Sequence, residues 1–443
     1  MKACRWSLSI LSFVLLLHPL PLGAQHIGGG DQNPNLNTNA GAITRWQDAR
    51  FGLSVHWGPV ALRGTEIGWS RADQMPREEY DALYKEFNPV LFNARDWMQL
   101  IKDSGFRYIT FVSKHHDGFA MWGSKQTDHN ILNSPFGRDW LKEIAEECRR
   151  QGIIFGTYYS LLDWYQYDYN PYGHGGPGFL LDRKPDYELY LAYMKRQLKE
   201  LIEDYRSEII LLDGEWDPSW NHDRGSDLYR YLRGLRDDIV ISSRVDKGRY
   251  GTGTTENYLW WEFSKYAGDY QEREQYIGGI ASYPWESWIT LGDQWAWRAN
   301  DHYKSAEECI GILVRSAGGN GNFNLNVTPM PDGRFEERQK RILLKIGAWL
   351  KANGDSIYAT RGGPFQPGSW GTSTHRADKV YLHILSWPAE PLRLPPVGQK
   401  FSAARLLHGG EVQWKQTDGG LEVSVPAAQR DPLDTIIELT VAR

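Results

Sequence analysis

The segment that most narrows the folds open to this chain is Ile209-Ile210-Leu211-Leu212-Asp213-Gly214-Glu215-Trp216. Four aliphatic residues run unbroken into a carboxylate, a glycine, a second carboxylate and a tryptophan. Strict alternation of apolar and polar residues would mark a strand with one wet face. An unbroken apolar run predicts a strand buried on both faces, as in a parallel sheet covered by helices. An acid at the end of such a strand falls where parallel barrels keep their chemistry, at the C-terminal edge. Gly214 lets the chain turn out into a loop. An isolated Asp-Gly pair is as readily a plain turn, so the meaning of Asp213 depends on how the other strands end.

The rest of the chain supplies those strands. Residues 51–57, 108–112, 153–159, 209–212 and 239–244 read as strands. Residues 96–104, 140–151, 187–205 and 226–236 read as helices between them, with Gly105 and Gly152 in the usual stop position. Segments 288–291 and 323–327 read as late strands around a helix at 305–317, and a periodic helix spans 335–352. Residues 246–285, rich in Gly and Tyr, give no assignment. Such alternation over about 300 residues predicts an α/β fold, a (β/α)8-like TIM barrel over residues 44–355. No G-x-G-x-x-G follows the first strand, which argues against a dinucleotide fold. After residue 356 the texture changes to short strands at 380–385, 404–407, 411–414, 421–425 and 436–441, separated by Gly, Pro and Asp turns. These predict an appended antiparallel β-sandwich over 356–443, with few clustered functional groups and so a packing or accessory role.

Residues 1–24 read as a cleaved secretory signal: Lys2 and Arg5 precede an apolar stretch from Leu8 to Leu17, too short to span a bilayer, and small or turn-forming residues follow. Residues 25–43, rich in Gly, Asn and Gln, read as a disordered leader, with structure beginning near Trp46. Export is therefore expected, to periplasm, medium or lysosome, and no other apolar run reaches membrane length. After cleavage Cys148 and Cys309 remain, both on expected helices; two cysteines make no disulfide framework, and buried thiols are expected. A net charge of −5 carries no nucleic-acid footprint. Twenty Trp and 24 Tyr are informative in the other direction, because flat apolar faces with a polar edge suit sugar rings, although a large core also uses them.

Polar residues collect at the strand ends: His56-Trp57-Gly58, Lys114-His115-His116-Asp117-Gly118, Tyr158-Tyr159-Ser160, Asp213-Gly214-Glu215-Trp216 and Arg244. A single His at a strand end is usually structural, but this convergence is not readily incidental. A metal site is one use of such a set. However, His115 and His116 are adjacent and on a strand would point to opposite sides. The other use is sugar binding by neutral His, Trp and Tyr, with carboxylates performing glycoside hydrolysis. Asp213, ionised beside cationic Arg244, is the natural nucleophile.

These motifs resemble those of the α-L-fucosidases, glycoside hydrolase family 29. Ser54-Val55-His56-Trp57-Gly58, Lys114-His115-His116-Asp117-Gly118-Phe119, Tyr158-Tyr159-Ser160 and Leu212-Asp213-Gly214-Glu215-Trp216 carry the resemblance. Gly268-Asp269-Tyr270 with Glu274, Pro284-Trp285-Glu286-Ser287-Trp288, Gly321-Asn322-Phe323-Asn324-Leu325-Asn326 and Gly347-Ala348-Trp349-Leu350 extend it, in order, to about Tyr358. The resemblance implies a (β/α)8-like barrel with a C-terminal β-sandwich, a retaining mechanism and no metal or other cofactor. It implies Asp213 as nucleophile. It implies His56, His115, His116, Tyr158 (preferred to Tyr159) and Arg244 around the sugar, with Trp295 as a platform for the fucose methyl group and Trp297 as its rival. The acid/base is assigned to Glu274, with Glu272, Glu256 and Glu286 behind it. Gly268–Glu274 departs from a Gly-Asp-aromatic-x-Thr-Pro-Glu pattern by placing Glu272-Arg273 where Thr-Pro is usual, and Glu286 also reads as a structural brace. A second departure lies at Gly64-Thr65-Glu66-Ile67-Gly68-Trp69, where many members carry Glu-Trp-Tyr; Glu66 and Trp69 are assigned to substrate, and the change points towards α-1,3 and α-1,4 linkages.

The resulting expectation is a retaining α-L-fucosidase acting on a fucosylated oligosaccharide or glycoconjugate, with no nucleic-acid partner and an oligomeric state the sequence does not give. A glycosidase for a related sugar such as galactose, or a non-catalytic fucose binder, are the alternatives. Asn326-Val327-Thr328 fits a glycosylation sequon but lies in an expected barrel strand, so it is expected to be unmodified.

Overall fold

The computed structural model describes residues 39–169, 183–247, 266–281, 283–387 and 391–442. The expected signal segment, most of the expected leader and Glu256 lie outside the described residues. No helix among the described residues is long and apolar enough to cross a membrane.

Among the described residues, eight parallel strands form one sheet: β1 (Phe51–Val55), β2 (Tyr108–Lys114), β3 (Ile154–Ser160), β4 (Ile209–Asp213), β5 (Val240–Ile241), β6 (Gln271–Glu274), β7 (Trp285–Thr290) and β8 (Asn322–Val327), in the order β5-β4-β3-β2-β1-β8-β7-β6. The two ends of that order meet through a parallel bridge between Ser242 and Tyr270. The helices are α1 (Ala40–Ala49), α2 (Arg77–Ala82), α3 (Ala94–Asp103), α4 (Trp140–Gln151), α5 (Tyr187–Glu203), α6 (His222–Leu235), α7 (Ala306–Gly318) and α8 (Glu337–Asn353). Among the described residues no α-helix lies between β5 and β6 or between β6 and β7, and the barrel is (β/α)8-like.

The Ile-Ile-Leu-Leu run is explained by the period of two along a strand. Ile210 and Leu212 pack outward, with Leu53, Phe111, Phe155 and Leu325, into the layer between sheet and helices. Ile209 and Leu211 point into the barrel. Ile209 joins a lower interior layer with Tyr108, Ile154, Val240 and Tyr270. Leu211 joins an upper one with Val112, Tyr158 and Trp288. Burying each such side chain contributes about 1.5–3 kcal/mol, so both faces of β4 favour the same register. Asp213, two residues beyond Leu211, is thereby aimed inward at the upper mouth.

Three expectations change. First, α1 begins at Ala40, inside the segment expected to be disordered: Asn39 caps it by accepting from Gly41 N, and the helix has a role, since Ile43 and Trp46 close the barrel floor. The Trp46 ring lies 4.5 Å from Tyr270 and 6.2 Å from Tyr108. Second, β6 lies in the stretch that gave no assignment. Its sequence Gln-Glu-Arg-Glu has none of the apolar character of a buried strand, because its inward positions are ionic. Third, β7 starts at Trp285 rather than Trp288, which puts Glu286 low in the barrel, where Tyr108 donates to its Oε2 (2.8 Å). Burial raises Glu286 to about 7.

The C-terminal unit has eight described strands: β9 (Arg361–Gly362), β10 (Gly371–Arg376), β11 (Lys379–Ile384), β12 (Leu392–Leu394), β13 (Phe401–Leu406), β14 (Gln413–Thr417), β15 (Gly420–Ser424) and β16 (Thr435–Val441). They make a five-stranded and a three-stranded antiparallel sheet around a core that includes Leu382, Val423 and Ile437. Thr374 Oγ1 donates to the Ser356 carbonyl (2.6 Å), and His408 pairs with Asn353 (2.8 Å), tying this unit to the end of α8. Cys148 and Cys309 are free and buried.

Candidate active site

A cavity of about 540 Å³ opens at the C-terminal ends of the strands, with Asp213, Arg244 and Glu274 in its wall. Asp213 is the last residue of β4 and 7% exposed. Its carboxylate is held on several sides. Tyr158 Oη donates to Oδ2 (2.7 Å) and Gly214 N to Oδ1 (2.8 Å), while Arg244 Nη1 donates to Oδ1. His116 Nε2 lies 3.6 Å from Oδ2. Burial alone would raise this acid, but Arg244, His116 and the donated hydrogen bonds outweigh it and hold Asp213 below the usual aspartate range. Gly214 takes φ +101°, and a Cβ there would collide with Leu162. That turn takes the chain out of the strand, so Glu215 does not line the cavity with Asp213. Glu215 is nonetheless buried, and burial pushes its carboxyl up to about 7, opposed by Arg244 and reinforced by Asp213.

Arg244 lies in a single 3₁₀ turn after the two-residue strand β5, later than a strand ending at Arg244 would place it. Nη1 meets Asp213, Nη2 donates to Glu274 Oε2 (2.6 Å), and Nε pairs with Glu272. Glu274, on β6, is the most accessible of these three acids, its side chain 29% exposed against 10% for Asp213 and 0% for Glu272. Glu286 is not part of the cavity wall.

The histidines are not on opposite sides. β2 ends at Lys114, and the chain then turns, Gly118 N donating to the His115 carbonyl (3.1 Å). Both rings therefore face the cavity, 4.2 Å apart. His115, His116 and Asp213 each offer a ligand atom within 4.8 Å of the others, so the spacing itself does not forbid a shared ion; what competes is the grip of Arg244 and Tyr158 on Asp213. His116 Nδ1 bonds Ser160 Oγ (2.6 Å). His56 Nδ1 donates to Asn326 Oδ1 (2.6 Å), which leaves Nε2 as an acceptor. Burial drives His56 down to about 3, and burial together with His116 and His56 drives His115 well below its ordinary value. Both are neutral rings able to hold hydroxyls. Asn326, the sequon residue, is 1% exposed and already bonded to His56 and to the Trp295 carbonyl.

Tyr158 and Tyr159 part as alternate strand residues must. Tyr158 points in to Asp213, and Tyr159 points out and donates to Gln197 of α5 (2.8 Å). Trp295 lines the cavity, its ring 4.9 Å from His56 and 4.3 Å from Trp288, while Trp297 does not line it. Trp69 also lines the cavity, stacked on Trp216 at 5.8 Å. Glu66 is not brought to the cavity wall. Its carboxylate accepts from the backbone N–H of Trp295 (2.8 Å), Ala296 (3.1 Å) and Ile67 (3.0 Å), so it holds the Trp295 loop rather than facing a ligand.

Trp216, Trp288 and Gln275 line the cavity without having been assigned from sequence. Trp216 and Trp288 stood inside the quoted motifs. The signal for Trp288 was its place one pleat above Glu286 on β7, which needs the strand's true start to be read.

Comparison with known proteins gives a consistent result. The family model described as Alpha-L-fucosidase matches residues 30–355. Human plasma α-L-fucosidase is 28% identical over 88% of this chain and 87% of its own length. The structure of α-L-fucosidase isoenzyme 1 from Paenibacillus thiaminolyticus superposes with a TM-score of 0.80 at 31% identity, covering 91% of this chain and 99% of that one. A Bacteroides thetaiotaomicron α-L-fucosidase of family 29, solved as a trapped covalent intermediate with 2-fluoro-fucosyl fluoride, superposes with a TM-score of 0.79 at 27% identity, covering 96% and 100%.

Proposed function

Because this chain belongs to the α-L-fucosidase family, glycoside hydrolase family 29, we propose that it hydrolyses terminal α-L-fucosyl linkages with retention, through a covalent fucosyl-enzyme on Asp213, with Glu274 as acid/base. The observation that carries this reading is the Arg244 guanidinium, whose two terminal nitrogens hold Asp213 and Glu274 at the open mouth of the barrel. Retaining glycosidases use two carboxyl groups on one sugar, one as nucleophile and one as acid/base, and a shared guanidinium keeps these two in the same wall.

In this reading Asp213, kept ionised by its surroundings, attacks the anomeric carbon while Glu274 gives its proton to the leaving oxygen; Glu274 then takes a proton from the water that releases fucose. Neutral His56 and His115 and the His116 ring bind ring hydroxyls. Trp295, backed by Trp288, offers an apolar face to the C6 methyl group, and no metal or other cofactor takes part. Glu66 acts on substrate only through the loop it holds. The covalent intermediate trapped in the Bacteroides relative supports the same double displacement here.

Two finer elements belong to this proposal. The substitution of Gly68 before Trp69, with Glu66 turned to backbone amides, supports a preference for α-1,3 and α-1,4 fucosyl branches. The N-terminal sequence pattern supports export. On a panel of glycans that differ only in fucose linkage, α-1,3- and α-1,4-linked substrates are expected to react at least about ten-fold faster in kcat/KM than α-1,2-linked ones. Equal or faster release from α-1,2 linkages would remove the linkage assignment. Activity on an aryl galactoside exceeding that on the fucoside would remove the sugar assignment.

A further inference from the structure

Glu272 stands where the family pattern places a threonine, and nothing in the mechanism above uses it. It is on the inward face of β6, one pleat below Glu274, and in register with Glu286 of β7. Its side chain is fully buried. Apart from the ion pair with Arg244 Nε, neither carboxyl oxygen has a hydrogen-bond partner among the described residues. A carboxyl group taken out of water with one partner is costly unless that partner needs it.

We propose that Glu272 is a positioning residue that seats the Arg244 guanidinium by its Nε edge, so that the two terminal nitrogens face the nucleophile and the acid/base at the same time. The inference rests on the assignment of Asp213 and Glu274 above. A guanidinium is planar, with its donors in a fixed fork. Fixing the Nε edge fixes the directions of Nη1 and Nη2. Without that third point the group can rotate about the Asp213–Glu274 axis or slide towards either acid.

The electrostatic setting agrees. Arg244 faces Asp213 and Glu215 from β4 and its loop, and Glu272 and Glu274 from β6; Glu286 of β7 and Tyr270 face Glu272, and Tyr158, His116 and His56 face Asp213. Burial would lower Arg244, but Glu272, Glu215, Asp213 and Glu274 together hold it firmly charged. One cation does not balance four neighbouring carboxyl groups, three of them buried. Burial raises Glu272 well above the ordinary glutamate range, with Glu274 and Glu286 adding to the rise against Arg244. The Nε–H of Arg244 needs an acceptor oxygen at that place, which a side-chain amide offers as a carboxyl group does.

The test is a comparison of Glu272→Gln with Glu272→Ala, using purified full-length protein of checked circular dichroism. The Gln variant keeps an oxygen for Nε–H, and its kcat/KM is expected within about three-fold of the parent. The Ala variant is expected to lose on the order of 10- to 100-fold, mostly in kcat, as misplacement of about 1 Å does. The limb of its pH profile set by Asp213 should move to higher pH, because Asp213 loses part of the fixed cationic neighbour that holds it low. A merely structural brace would lower the melting temperature of both variants and leave that limb in place. If Glu272→Ala does not fold, Glu272→Thr, which also removes the carboxyl, takes its place with the same expected limb shift. A folded Ala or Thr variant with parental kcat/KM and a parental limb overturns the inference. So does a Gln variant as impaired as the Ala one. An active Asp213→Ala enzyme would instead overturn the underlying assignment, so the two failures are distinguishable.

Discussion

Replacing Asp213 with alanine is expected to lower kcat on an aryl fucoside by roughly 10⁴- to 10⁶-fold, the range seen when a nucleophile or its partner is removed. Sodium azide should restore part of the turnover and yield fucosyl azide of inverted configuration. The expectation follows from how the carboxylate is held. It must be ionised to attack, and it is buried, which by itself favours the protonated form. Arg244, the Tyr158 hydroxyl and the Gly214 amide reverse that preference. Loss of the side chain also leaves those donors and a space on the order of one small anion, which is what azide needs in order to enter. Parental turnover, or an azide product of retained configuration, would show that another group attacks. Buried Glu215 would be the first to examine, since it shares the same arginine.

Glu274→Ala has the second largest expected effect, and its size should depend on the leaving group. For a glycan, whose leaving alkoxide needs a proton, kcat is expected to fall by about 10²- to 10⁴-fold. For an activated aryl fucoside the first step needs little protonation, and the loss should appear mainly in release of the fucosyl-enzyme. Azide should then give the retained product, because it intercepts an intermediate already inverted once. The carboxyl has the exposure this role requires: 29% of its side chain is accessible, whereas Glu272 and Glu286 are sealed inside the barrel. A leaving-group-independent loss, or azide rescue at Glu272 in place of Glu274, would move the acid/base assignment.

The parts of this molecule that were legible in its sequence are those whose burial imposes a simple period. β4 announces itself because both of its faces are apolar. The glycine stops after α3 and α4 and the alternation of strands and helices are enough to give the α/β barrel, and the short turn-punctuated strands give the β-rich C-terminal unit. β6 was illegible for a physical reason: its inward residues are Glu272 and Glu274, held by Arg244 rather than by apolar contact, so it lacks the pattern by which strands are recognised. α1 was hidden by a polar, Gly- and Asn-rich neighbourhood, although Ile43 and Trp46 were the two residues that could close a barrel floor. The facing rings of His115 and His116 depend on a turn that begins directly after Lys114, where a continuing strand would have parted them. The position of Glu66 depends on a loop 229 residues away, and no local pattern carries that information.

The account stands or falls on which carboxylate becomes bonded to sugar. Wild-type protein treated with 2-fluoro-fucosyl fluoride, digested and mapped by mass spectrometry, tests this directly. The account predicts one fluorofucosyl group per chain, on the peptide that carries Ile209–Trp216, with fragmentation placing it on Asp213. A label on Glu215, Glu272 or Glu274, or an unlabelled enzyme that still turns over fucosides, would contradict it.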